Sequence, residues 1–390
     1  MQLFGETNID FLGRRKIFIG LSVLLLAAGA ISLVLKGGLK LGIDFKGGTL
    51  VYVKFADEPD VEKIRQALTG QGLNVATLQP FEDGPDSHEL KIDLDLAGDI
   101  VETSGKQQLI DTLRALYPAE GDRLDLNNAG EEALAERLRR NAGLSASDLS
   151  YDEITQAAKT IVDFRDKPPT SGLVTDYAKL NGAGVPQPVL DALPAETYLG
   201  KFAIRGIEVV GPKVGEDLQW QAIKATLAAL GGMLVYIAFR FEWIYGVAAV
   251  IAVFHDVLVT LGFFSLFDRE IELTVVAALL TLVGYSMNDT IVIFDRVREN
   301  KKLTRRLGLE ELLNRSVNQT LARTVLTSGL TFVAVLCLFI LGGEVLRGFS
   351  FALVVGVLVG TYSSIFIASP ILLWWQEARA ARATAGGGKR

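Results

Sequence analysis

Six long apolar windows dominate the chain, at residues 17–35, 222–239, 243–267, 271–294, 325–341 and 349–375. Each is near or above the roughly 17–25 residues that a helix needs to cross a bilayer. Five of them lie in the C-terminal part, and a long polar segment, residues 36–221, separates the first from the second. The pattern predicts an α-helical polytopic membrane protein with six transmembrane helices and one large extramembrane domain between the first and second.

Inside the polar segment the period changes. Gly37, Gly38, Gly42, Gly47 and Gly48 allow sharp turns where the chain leaves the first window. Residues 49–55 alternate with period two and are rich in β-branched and aromatic side chains, which predicts a strand. Residues 59–68 have helical spacing, with Asp60 and Glu62 in the first turn. Residues 73–81 and 89–94 read as strands, 106–117 as a helix and 203–210 as a last strand. The order β-α-β-β-α-(insert)-β fits a ferredoxin-like α+β unit. The insert, residues 118–201, carries amphipathic helices at 131–141 and 152–162 and loop signals at 166–169 and 182–188. It holds no nucleophile–base or metal-ligand pattern and reads as a helical elaboration. Residues 211–218 lead into the second window, with Glu216 and Asp217 near a helix start, where the helix dipole favours negative charge.

Charge then orients the chain. The net charge is −6, but residues 37–219 carry 19 basic and 31 acidic side chains, and the remainder carries 20 and 14. The basic excess sits at Arg14, Arg15 and Lys16, at 296–323, and in the tail 379–390. The positive-inside rule puts those regions, and both termini, in the cytoplasm, and the loop 268–270 and the acidic domain on the far side. The expected organisation is 1–36 (N-terminus and first helix), 37–219 (outer domain), 220–376 (five further helices with a cytoplasmic loop at 295–324) and 377–390 (basic tail). The first window has a basic flank and an Ala28-Gly29-Ala30 stretch like a signal peptide, but it exceeds the roughly 7–15 apolar residues of such segments. An uncleaved anchor is expected.

One cysteine, Cys337, excludes an intrachain disulfide and a Cys-based zinc site, and two histidines, His88 and His255, exclude a multi-histidine metal centre. The glycine-rich 42–48 stretch lacks the Lys-Ser/Thr of a nucleotide loop. With no ATPase machinery and no cofactor expected, a proton moving down the membrane potential is the natural energy source, at about 2.3 kcal/mol per 100 mV.

Polar residues inside the windows are the candidate chemistry. Asp289 lies in the fourth, flanked by Tyr285, Ser286, Asn288 and Thr290. An acid at the centre of a membrane helix costs about 2.5–3.5 kcal/mol on insertion scales, so it implies a partner, a water-filled cavity or a proton. Burial favours the neutral acid and a nearby arginine favours the carboxylate; balanced between them, Asp289 can exchange protons. The bland alternative is a static ion pair. Tyr285 and Ser286 fall one turn before Asp289, on its face. The third window carries His255 and Asp256, with Thr260 one turn on. Both acid and histidine are open to a structural reading, as interhelical ties worth about 0.6–2 kcal/mol. Thr320, Thr324, Thr327 and Thr331 make a polar stripe on the fifth helix, with Ser328 beside it and Arg323 at its cytoplasmic end. Arg323 either snorkels to headgroups or points along the stripe toward Asp289. Gly356, Gly360, Ser364 and Ala368 put a small residue at every fourth position of the sixth helix, a packing signal.

The ordered set Gly42-Ile43-Asp44-Phe45-Lys46-Gly47-Gly48-Thr49, Val210-Gly211-Pro212-Lys213-Val214-Gly215, Phe254-His255-Asp256-Val257, Gly284-Tyr285-Ser286-Met287-Asn288-Asp289-Thr290 and Arg323-Thr324-Val325-Leu326-Thr327-Ser328 resembles the bacterial SecD/SecF family, in its SecF branch. The resemblance covers nearly all of the chain outside the insert. It implies membership of the resistance-nodulation-division superfamily and a place in the bacterial cytoplasmic membrane. It implies partnership with SecD, a sister six-span subunit, beside the SecYEG channel with YajC and YidC. The preprotein would be handled through the outer domain, late in translocation, and no nucleic acid or chemical reaction is implied. By resemblance Asp289 is the proton-relay residue, with Asn288 beside it and Arg323 assisting, and Asp256 matches the family's third-span acid. The insert 118–201 departs from the usual smaller outer domain of this family. Two other readings are an exporter half for small molecules or lipids within the same superfamily, and a purely structural brace.

Overall fold

A computed structural model describes residues 7–73, 75–81, 88–94, 102–118, 121–145, 149–168, 170–240, 242–304 and 307–387. Pro169, in the first predicted insert loop, and residues 388–390 of the basic tail lie outside them. The chain divides into two compact units: Met1–Phe45 with Asp217–Arg390, and Lys46–Glu216.

In chain order, α1 (Arg15–Leu35) and a single turn α2 (Ile43–Lys46) precede β1 (Gly48–Phe55), α3 (Val61–Gly70), β2 (Val75–Phe81), β3 (His88–Leu94) and α4 (Glu102–Leu116). The insert holds β4 (Leu124–Asp125), α5 (Glu131–Arg139), α6 (Ala142–Ser145), α7 (Tyr151–Asp166), a 3₁₀ turn (Tyr177–Gly182), α8 (Gln187–Glu196) and β5 (Thr197–Tyr198). Then come β6 (Phe202–Val210), α9 (Pro212–Arg240), α10 (Trp243–Leu266), α11 (Leu273–Leu303), α12 (Leu309–Leu341), α13 (Gly343–Ser363), a π-turn (Ser364–Ala368) and α14 (Ser369–Gly387).

The second unit is built on a four-stranded antiparallel sheet in the order β2-β3-β1-β6. Alternation explains its core: Val51, Val53 and Phe55 share a face with Leu90, Ile92 and Leu94 and bury Ile64, Leu68, Leu109 and Leu113. Asp60 caps α3 by accepting from the Lys63 N–H at 3.0 Å, as the acid at that position suggests. The insert closes on itself. Its first strand, β4, pairs in parallel with its last, β5, around a separate core of Leu126, Leu134, Leu138, Ile154, Ile161, Val189 and Leu193. Asn127 stitches the ends by donating to Val174 O and Gly200 O at 3.0 and 2.7 Å. The loop expected at 182–188 is shorter than that, because α8 already starts at Gln187. Pro188 falls in the first helical turn, where a missing N–H costs nothing, so proline signalled a helix start there as well as a loop.

The first unit carries, among the described residues, six helices long and apolar enough to cross a membrane: α1, α9, α10, α11, α12, and α13 with α14. Two helices run well past their apolar windows. The expected cytoplasmic loop 295–324 is therefore mostly helix, because α11 continues to Leu303 and α12 begins at Leu309. Polar residues with good helix propensity extend a helix out of lipid as readily as apolar ones extend it within. Glycines set the closest crossings. A Cβ on Gly29 of α1 would lie 2.7 Å from Gly262 Cα of α10, and one on Gly360 of α13 would lie 3.0 Å from Ser286 Cβ of α11. The α10–α11 turn is tied by Asp44, whose carboxylate accepts from the Leu273 N–H at 2.8 Å.

Candidate functional site

Among the described residues, two acids are buried inside the helical unit: Asp256 on α10, 0% exposed, and Asp289 on α11, 2% exposed. They are the acids that the sequence singles out, but their surroundings differ.

Asp256 is enclosed. Its Oδ1 sits 2.9 Å from His255 Nδ1, and its Oδ2 accepts from Ser286 Oγ at 2.5 Å and Ser363 Oγ at 2.8 Å. His255 Nε2 is 3.3 Å from the Tyr362 hydroxyl, which is 2.8 Å from Ser22 Oγ on α1. Thr260 donates to the Asp256 carbonyl at 2.8 Å. Four spans thus meet in one hydrogen-bonded chain. The π-turn follows directly: Ser363 precedes it, and Ser364 opens it and pairs with Thr290 at 2.9 Å. A π-turn adds one residue to the helical repeat. Ser364 and Ala368, expected to extend the four-residue small-residue spacing, are its first and last residues. Ser286, expected on the face of Asp289, serves Asp256 instead.

Asp289 accepts from Ser328 Oγ on α12 at 2.9 Å, and the side chain of its neighbour Asn288 lies within hydrogen-bonding reach. Arg323 is within electrostatic reach of it, but no ion pair joins the two among the described residues, and Arg323 is exposed. Of the two expected placements of Arg323, neither is singled out: the residue is exposed, and its charge still acts on Asp289. Asn288 is likewise on the exposed side of α11. The Tyr285 hydroxyl, one turn before Asp289, is buried among Ser328, Thr331 and Thr361 without a well-aligned hydrogen bond, and the Thr324 hydroxyl, one turn before Ser328, is buried with no partner among the described residues. The polar stripe is redrawn. Ser316, Thr320, Thr324 and Ser328 recur at every fourth residue and are all buried. Thr327 is exposed, about 100° away from Ser328 around the helix. Its hydroxyl folds back on the carbonyls of Arg323 and Thr324, at 3.0 and 3.2 Å. Thr331 likewise bonds the Thr327 carbonyl at 2.9 Å. No group of three or more metal-ligating side chains is found among the described residues.

Sequence reasoning missed Ser22, Tyr362 and Ser363. The available signal was the clustering Thr361-Tyr362-Ser363-Ser364 in an otherwise apolar helix.

Comparison with known proteins defines the class first. Residues 192–378 match the family model for the protein export membrane protein SecD/SecF C-terminal region, and residues 32–58 match the SecD/SecF GG motif. The chain is 49% identical to the protein translocase subunit SecF of Koribacter versatilis, over 99% of this chain and 96% of that one. It is 50% identical to the protein translocase subunit SecDF of Thermus thermophilus over 182 residues, 47% of this chain and 25% of that one. The crystal structure of SecDF from Thermus thermophilus aligns with a TM-score of 0.64 at 31% identity, over 95% of this chain and 39% of that one. The chain belongs to the SecF family of protein-translocase subunits.

Proposed function

We propose that this Sec protein-export accessory subunit draws on the proton-motive force, and that Asp289 is the group that takes up and releases the proton. The observation that supports it is the unfinished environment of Asp289: one hydroxyl donor from another helix, the adjoining Asn288, no ion pair among the described residues, an arginine within electrostatic reach, the Tyr285 hydroxyl a turn away and the unpartnered Thr324 hydroxyl a turn from Ser328. A carboxylate there has Ser328 now and Arg323 on a change of rotamer. A protonated carboxyl needs an acceptor as well, and the Tyr285 and Thr324 hydroxyls can fill either role. Both charge states have partners within a small movement of α12 against α11. Arg323 balances the anion, and Asn288 lies on the side assigned to a second six-span half, SecD.

The second unit is assigned to the ferredoxin-like class, supported by its β-α-β-β-α-β order and antiparallel arrangement. Its assignment to the periplasmic side, with both termini cytoplasmic, is supported by the basic residues at 14–16, 296–323 and 379–390. The SecYEG channel, YajC and YidC are the further partners of this reading, the preprotein meets the outer unit, and the subunit performs no chemical reaction of its own. Whole-length similarity to translocase subunits favours this over an exporter of small molecules or lipids.

The test is Asp289→Asn in cells lacking the native gene. SecD co-purification should be normal, and the part of preprotein export that an uncoupler removes should vanish. Full uncoupler-sensitive export at normal expression would end the relay role.

A further inference from the structure

We propose that His255 is a second proton-carrying group, paired with Asp256 and connected through the Tyr362 hydroxyl to Ser22 on the first span. The inference rests on the proton-driven reading for its purpose, though not for its chemistry.

Three features carry it. First, both ring nitrogens of His255 are engaged: Nδ1 at 2.9 Å from the Asp256 carboxylate and Nε2 at 3.3 Å from Tyr362 Oη. Asp256 also accepts from Ser286 and Ser363. The carboxylate and the imidazole are therefore one hydrogen-bonded pair that can hold an exchangeable proton between them. Second, the remaining links are hydroxyls, which donate and accept alike. With His255 neutral, Nδ1–H donates to Asp256, Tyr362 donates to Nε2, and Ser22 donates to Tyr362. A proton delivered to Ser22 Oγ releases the Ser22 hydrogen to Tyr362 Oη. The Tyr362 hydrogen passes to Nε2, and the ring becomes imidazolium. One proton has entered, no bond other than O–H and N–H has changed, and the Ser22–Tyr362 and Tyr362–His255 hydrogen bonds have reversed direction while Nδ1–H still donates to Asp256. Third, the chain ends on α1, the helix that leads through α2 into the Lys46–Glu216 unit. A reversal at Ser22 is therefore registered on that helix.

The titratable groups against the ring are Asp256 on its own helix and Tyr362 from α13. α1 presents Ser22 there and α11 presents Ser286, with Asp289 a further turn along α11. The Tyr362 ring also packs edge-on against the imidazole, with centroids 5.9 Å apart.

Only two histidines exist, so a His88→Gln background leaves a single ring to observe. The full chain in lipid nanodiscs, labelled with ¹⁵N-histidine, is titrated across about pH 5–8, where histidine ordinarily changes charge. His255 should pass reversibly from neutral to imidazolium. Tyr362→Phe, which keeps the ring packing but removes the hydroxyl at Nε2, should move the midpoint and slow uncoupler-sensitive export. Ser22→Ala should shift it in the same direction by less, and Asp289→Asn should leave it in place. A ring held in one protonation state throughout, or a midpoint that neither Tyr362→Phe nor Ser22→Ala moves, overturns the proposal. Failure here with an inactive Asp289→Asn leaves the Asp289 relay standing. An active Asp289→Asn with a titrating His255 removes that relay alone.

Discussion

Asp256 and Asp289 are equally hidden from solvent but unequally partnered. Asp256 has three side-chain partners, from α10, α11 and α13; Asp289 has one from another helix, Ser328 of α12, beside its own neighbour Asn288. The difference follows from how closely the helices approach. Gly360 lets α13 press against α11 at Ser286, so Ser286 and Ser363 converge on one carboxylate. By contrast, α12 is only 11% buried over its apolar window, against 72% for the last span. It supplies a single hydroxyl from one edge. Tight packing makes an acid with fixed partners, and a lightly held helix leaves an acid whose partners can change.

The largest expected effect comes from removing the charge of the lightly held acid. Asp289→Asn should abolish uncoupler-sensitive export while changing stability by less than about 1 kcal/mol, because the amide oxygen still accepts from Ser328. Asp256→Ala should do the reverse in emphasis. It strips His255, Ser286 and Ser363 of their shared acceptor inside the bundle, a loss of about 3–5 kcal/mol typical of breaking a buried charged network. Thermal unfolding of the two variants in the same detergent separates them. Equal losses of stability would erase the contrast.

The two packing glycines sharpen it. A Cβ at Gly356 would fall 2.6 Å from the Leu282 methyls, the far end of a side chain that can rotate. A Cβ at Gly360 would fall 3.0 Å from Ser286 Cβ, and Ser286 is pinned to Asp256. Gly360→Ala should therefore cost about 1–3 kcal/mol by overpacking. Gly356→Ala should cost less, because its clash is with the end of a side chain; the gain of about 1 kcal/mol in helix propensity is common to both variants. The same order should appear in export rates, and a larger penalty at Gly356 would show that α13 is positioned by something other than the Asp256 cluster.

Much of this architecture is legible in the sequence because lipid imposes length. Six windows had to be helices, and an acid inside one had to be remarkable by its cost alone, which is why Asp256 and Asp289 stand out without any structure. The partners do not. Ser22 and Tyr362 are 340 residues apart, and a lone hydroxyl in an apolar helix has a local partner in its own backbone, so nothing in the spacing marks it as interhelical. The choice of Ser328 over Thr327 as the inward residue depends on about 100° of helix rotation, which hydroxyls on adjacent positions cannot specify. The strands of the Lys46–Glu216 unit were readable from alternation, whereas their order in the sheet was not, and the two-residue strands that close the insert were too short to leave a pattern.

The smallest effect concerns an exposed acid that serves as the control for both buried ones. Asp268, in the turn between α10 and α11, accepts from Lys36 Nζ at 3.3 Å and faces Lys40 Nζ at 3.6 Å. The hydrogen bond from Lys36 and the charge of Lys40 hold its carboxyl below the ordinary carboxylate range. A group that is more acidic in the folded protein stabilises it fully above its unfolded value. That contribution disappears as pH falls through the depressed folded value. The side chain is 63% exposed, so solvent screening limits the contribution to at most about 1 kcal/mol. Its φ of 54° lies in the left-handed region, which asparagine tolerates, so Asp268→Asn removes charge without adding backbone strain. The variant should unfold slightly earlier than the parent at pH 7. The gap should close on acidification and in molar salt. A gap that persists under both would mean that the turn is held by its backbone geometry, and that charge near the ends of these helices contributes as little as its exposure implies.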